Sequence, residues 1–154
     1  MIDPLVRPAL PSDYEALGRL EAIARAGLVG TRGGDRLLEL VDSRVGRWTS
    51  DDVRTVVADF DGICVGFIVV IPGDVWTIES VFVASWAREL GFGDALLEWA
   101  IAAARAAGAR RIEGTALPGD RETKNLYERA GVTAKAITVA LDLSGPASSA
   151  DASQ

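Results

Sequence analysis

The chain has 154 residues, 49% of them hydrophobic, which suits one domain with a buried core and is short for two. A net charge of −6 at neutral pH works against general binding to nucleic acid or to an anionic membrane, because both need summed positive charge. Histidine is absent, and the single cysteine, Cys64, rules out an internal disulfide framework and a cysteine-cluster metal site; it reads as a small apolar residue in a strand.

Leu5 to Ala9 reads as a short strand that stops before Pro11. Ser12 and Glu15 have capping-box spacing, and Leu17, Leu20 and Ala24 follow at helical intervals, which predicts a helix over 13–26. Gly27 to Gly34 carries four glycines and reads as a loop, and Leu37, Leu38, Val41 and Val45 suggest a second helix. From Arg54 the period becomes two. Val56, Ala58 and Phe60 alternate, Asp61-Gly62 is a hairpin turn, and Ile63, Val65, Phe67, Val69 and Ile71 resume the alternation. Pro72-Gly73-Asp74 turns the chain into a third strand, Val75 to Val83.

A glycine loop, Arg88-Glu89-Leu90-Gly91-Phe92-Gly93, comes next, followed by a helix with an apolar stripe of Leu96, Leu97, Ala100, Ile101 and Ala104 that ends at Gly108. Arg110 to Leu117 reads as a strand parallel to its predecessor, since a whole helix separates them. Asp120 caps a short helix that Gly131 terminates, and Val132 to Leu143 alternates like a last strand. Residues 1–143 thus form the domain and 144–154, rich in Ser and Ala, a disordered tail. The longest apolar runs are strand-length, and Met1-Ile2-Asp3-Pro4 lacks a basic segment followed by an apolar one, so a cytoplasmic protein is expected.

Strand, glycine loop and helix in this order present bare backbone N–H groups and a positive helix end to a phosphate. Arg-x-x-Gly-x-Gly in this setting resembles the acyl-CoA signature of the GNAT superfamily of N-acyltransferases. The element order, β-α-α-β-β-β-α-β-α-β over about residues 4–143, is similar to that family's as well. The resemblance implies an α/β fold: a mixed central sheet of about six strands with helices on both faces. A dinucleotide fold does not fit, because three consecutive antiparallel strands contradict its alternating units, and a P-loop lacks its Gly-Lys-Ser/Thr.

The same resemblance implies acetyl-CoA as co-substrate, without a metal. Its pyrophosphate would meet the amides of Arg88, Glu89, Leu90, Gly91, Phe92, Gly93 and Asp94, and its pantetheine the backbone of Val81, Phe82 and Val83. Asp120 stands where the family usually has a pantetheine-contacting Asn, and Lys124 is a candidate phosphate partner. Ser85, Glu89 and Leu90 depart from the family's usual proline, small and basic residues.

The implied reaction is direct attack of a primary amine on the thioester carbonyl, through a tetrahedral intermediate, and needs no protein nucleophile. Tyr127, in a stretch ending Tyr127-Glu128-Arg129-Ala130-Gly131, matches the tyrosine that the family brings to the CoA sulfur and is the candidate acid. Glu79 and Glu113 are the candidate bases, with a structural or ion-paired carboxylate as the alternative for each. The acceptor, a small molecule or a peptide amine, would be shaped by Gly27 to Trp48 and by Val132 to Leu143. The rival reading is a catalytically silent CoA-binding or partner-binding module. A homodimer is expected through the exposed edge of the last strand, whose apolar face is Ile137, Val139 and Leu141.

Overall fold

The computed structural model of the protein describes residues 3–41, 45–141 and 143. The tail expected over 144–154 lies outside the described residues. The elements run β1 (Leu5–Pro8), α1 (Tyr14–Ala26), α2 (Gly34–Val41), β2 (Arg54–Phe60), β3 (Ile63–Ile71), β4 (Val75–Val83), α3 (Phe92–Ala106), β5 (Arg111–Gly114) and α4 (Arg121–Arg129).

Period two in the strands sorts side chains onto the two faces of one sheet, ordered β1-β2-β3-β4-β5. Val56, Ala58, Ile68, Val70, Trp76 and Ile78 face α3 and α4, where Phe92, Leu96, Leu97, Ala100, Leu126 and Tyr127 close the larger core. Val57, Phe67 and Val69 face the other way and pack with Leu17 and Leu20 of α1. Helices therefore cover both faces. β1 to β4 pair antiparallel in sequence, and β5 returns parallel to β4 after the α3 crossover. The β2–β3 turn has Asp61 and Gly62 at φ 57° and 84°, the left-handed geometry a two-residue hairpin needs.

Two local features shape the functional region. In the β3–β4 ladder Val69 faces Ser80 and Val70 faces Ile78, so Glu79 is an extra, bulged residue on β4. Beside it, β5 pairs with β4 only from Val75↔Arg111 to Ile78↔Gly114. From Glu79 onward β4 has no partner on that side among the described residues, and the sheet opens.

Three expectations are corrected. The strand expected over Val132 to Leu143 is absent among the described residues: 132–141 has no regular structure, so the sheet has five strands. A strand exists by its hydrogen-bonded partner, and no carbonyl or amide of β5 bonds to this segment. The strand expected to reach Leu117 ends at Gly114, where β4 bulges away. Ser12 does not cap α1; the Asp13 carboxylate accepts from the Leu10 N–H at 2.7 Å and binds Arg7.

Candidate active site

The opening between β4 and β5 is a cleft of about 1270 Å³ that runs from the glycine loop to the α1–α2 loop. At one end, Gly91 has φ 90° and N-caps the fifteen-residue α3. That left-handed value needs glycine, and it turns the chain so that the amides of the first helical turn face outward. The amides of Phe92, Gly93 and Asp94 belong to the first turn of α3, ahead of the helix's internal hydrogen-bond ladder. A Cβ on Gly93, the other loop glycine, would touch Leu126 at 3.4 Å and Val83 at 3.7 Å, so the loop packs closely against both. First-turn amides, a helix N-terminus and glycines without side chains fit a polyphosphate.

Arg88 builds the turn more than it offers free charge. Its Nε donates to the Val83 carbonyl at 3.0 Å, its guanidinium lies 5.5 Å from the Phe82 ring centroid, and its NH1 pairs with Glu122 at 3.0 Å. Glu89 is exposed at φ 69° and also lines the cleft. Leu90 packs against the core and Phe92 is buried in it, so both can serve a ligand through backbone alone. Asp94 pairs with Arg129 at 3.0 Å. Val81, Phe82 and Val83 form the cleft wall on the unpaired side of β4.

α4 supplies the residue at the centre of the opening. Asp120 caps it, accepting from the Thr123 N–H at 3.1 Å and from the Thr123 hydroxyl at 2.7 Å. Its carboxylate is engaged in the cap, while the residue still lines the cleft; Lys124 is exposed outside it. About two turns further on, Tyr127 is buried and points its hydroxyl at the point where the strands part. A Cβ on Gly114 would fall 2.6 Å from that oxygen and 3.3 Å from Ile78 Cβ. The Tyr127 side chain lines the cleft. Burial, and then the Asp120 carboxylate, push its pKa up to about 12. The phenol therefore keeps its proton at neutral pH and is a donor, not a base.

Glu79, the bulged residue, lines the cleft with its side chain almost wholly buried, and Arg47 Nε approaches its two oxygens at 3.3 and 3.4 Å. Arg47 is in turn held by Asp52 at 3.1 Å through each of two nitrogens. Sequence reading missed Arg47: it lies 32 residues from Glu79, and its one local signal is the turn at Gly46, φ 73°, that swings it inward. Glu113 is exposed, pairs with Arg111 at 2.6 Å and is not part of the cleft wall. Tyr127 and Glu79 thus share one cleft, and Glu113 stands apart.

At the far end the α1–α2 loop crosses toward the β5–α4 loop. The Gly119 N–H donates to the Arg32 carbonyl at 3.3 Å, and a Cβ on Gly119 would strike Arg32 N at 2.7 Å. Trp48 lies at this end, with its ring 5.0 Å from that of Tyr14 and its buried indole N–H unpaired among the described residues. Cys64 is half-buried, with its thiol pKa raised by burial. The described residues include no group of three or more metal-ligating side chains and no helix long and apolar enough to cross a membrane.

The model of the acetyltransferase (GNAT) family matches residues 28–132, more than half of the chain. The protein belongs to that family. A search of curated proteins finds no match. Among solved structures it is similar to a transcriptional regulator from Bacillus halodurans C-125, at 22% identity and TM-score 0.66 over 92% of this chain and all of that one. It is also similar to an acetyltransferase from Trypanosoma brucei (22%, TM-score 0.64, 92% and 100% covered). A third is the ribosomal-protein-alanine N-acetyltransferase of Brucella melitensis biovar Abortus 2308 (17%, TM-score 0.64, 92% and 98% covered). Identities this low establish the shared fold, and the five-stranded mixed sheet is that fold.

Proposed function

We propose that the protein transfers an acetyl group from acetyl-CoA to a primary amine, with the pyrophosphate against the amides of the glycine loop and the pantetheine along Val81 to Val83. The observation that carries this reading is the Tyr127 hydroxyl, which a buried ring carries to the opening between β4 and β5. The acceptor nitrogen, entering from the α1–α2 side, attacks the thioester carbonyl. The C–N bond forms, the C–S bond breaks, and the departing thiolate takes the Tyr127 proton. A phenol that holds its proton up to about pH 12 is still protonated when the thiolate leaves. The amine gives up a proton to Glu79, directly or through water; Arg47 fixes that carboxylate in the cleft.

The test is thiol release from acetyl-CoA against a panel of amines, polyamines and peptides, with the melting temperature read in parallel. Tyr127→Phe keeps the ring packing and should cost roughly 10²-fold or more in turnover, with acetyl-CoA still raising the melting temperature. An unchanged rate in this variant sinks the assignment of Tyr127. The second reading, a silent CoA-binding module, is favoured by one observation: Arg47 already engages Glu79. A melting shift with no turnover on any amine would establish it.

A further inference from the structure

Glu79 is a carboxylate held inside the cleft with its side chain 8% exposed, and Arg47 reaches it through Nε at 3.3 and 3.4 Å. Charge-assisted bonds of this kind are ordinarily about 2.7 to 2.9 Å, so the contact is long and is shared between two oxygens. The same guanidinium is held more firmly from its other side. Nη1 and Nη2 each meet an Asp52 oxygen at 3.1 Å, and Nη1 also donates to the Ser50 hydroxyl at 3.3 Å. The Arg47 pKa lies above its ordinary value, first because of the Asp52 hydrogen bonds. The backbone beneath is pinned: the Gly46 N–H donates to Glu21 at 3.1 Å, and the Thr49 hydroxyl donates to the Gly46 carbonyl at 2.9 Å. Arg47 can therefore release Glu79 by rotating its side chain, with Asp52 retained and the turn left in place.

A buried carboxylate is costly unless a cation stands against it, and Arg47 brings such a cation from the wall of the cleft itself. A primary alkyl amine is mostly an ammonium ion at neutral pH, and it offers the same charge on a compact group free to approach more closely. We propose that Arg47 sets acceptor specificity by holding the place of the acceptor's ammonium group at Glu79: a cationic amine displaces it toward Asp52, and a neutral or anionic molecule does not. The acetylated nitrogen carries no charge, so Arg47 returns to the carboxylate as the product leaves. Arg47 selects the substrate and takes no part in the chemistry. The inference rests on the reading that the acceptor amine meets Glu79, and it narrows that acceptor to molecules that arrive as cations.

Calorimetric titration with n-butylamine and with spermidine tests it without turnover, and thiol release read in parallel judges the catalytic reading separately. Arg47→Gln keeps a donor beside Glu79 but removes the competing charge, and should bind both amines roughly 3- to 10-fold more tightly. Asp52→Asn alters a side chain that is 60% exposed and removes the charge that anchors Arg47 away from Glu79. It should weaken both amines by a similar factor with unchanged circular dichroism. Acetyl-CoA affinity should stay the same in both variants. An Arg47 that merely props the cleft would make the two variants fall together. Equal or weaker amine binding by Arg47→Gln overturns the proposal; so does wild-type affinity in Asp52→Asn, and so does the absence of amine binding in every protein. Amine affinities that move in the expected opposite directions without thiol release sink the catalytic reading alone. Turnover with amine affinities that do not move sinks this proposal alone.

Discussion

Glu89 is the residue whose backbone and charge both oppose its position. A non-glycine side chain at φ 69° costs about 1 kcal/mol, and its carboxylate lines the cleft beside amides suited to phosphate. Glu89→Gly removes both penalties. Acetyl-CoA should then bind roughly 3- to 10-fold more tightly by calorimetry at low salt, with the gain shrinking as salt is added. Equal affinities for the two proteins would mean that the carboxylate does not face the phosphates. A glutamate in a left-handed turn cannot be read from neighbours in sequence, because the glycine two positions on, Gly91, already signals the turn and hides the strain at Glu89.

Between elements, the decisive contact is α4 against the end of β5. Gly114 leaves room for the Tyr127 hydroxyl, and the opening of the sheet begins at the same point. Gly114→Ala would put a methyl group 2.6 Å from that oxygen, so the ring must tilt. Turnover should fall about as far as in Tyr127→Phe while acetyl-CoA still raises the melting temperature. A rate at the wild-type level would show that the hydroxyl need not occupy this position. The antiparallel strands and their turn at Asp61-Gly62 were legible in the sequence because alternation and turn chemistry are local. Asp120 as a cap was legible for the same reason. What eluded it depends on distant partners: the β5 ladder stops where β4 bulges, the segment from Val132 finds no strand to pair with, and Asp13 is drawn to Arg7 in place of a Ser12 cap.

Across the whole molecule, Arg7 fastens the first strand to the rest. Its guanidinium grips both Asp13 oxygens at 2.8 and 2.9 Å and reaches Asp59 on β2 at 3.3 Å. The Asp13 carboxyl is held below its ordinary value, first by the Arg7 hydrogen bonds, against the opposing effect of burial, and then by the Leu10 N–H. A depressed native value means that this stabilisation is complete above roughly pH 4 and is lost as the pH falls through the native value. Asp13→Asn should therefore lower stability by about 2 kcal/mol at neutral pH, with the gap to wild type narrowing in acid. Urea unfolding at several pH values measures it; a gap that does not change with pH would leave the charge without a role.

The bulge at Glu79 carries a consequence of parity. Trp76 and Ile78 point into the larger core before it, and Val81 and Val83 point into the same core after it, an even pair followed by an odd pair. The extra residue makes that switch of phase. Deleting Glu79 would restore unbroken alternation from Trp76 to Val83, with Ile78 still opposite Val70, Ser80 still opposite Val69, and Val81 and Val83 still turned inward. The core therefore does not require this residue, and what its loss would remove is the carboxylate that the bulge holds in the cleft.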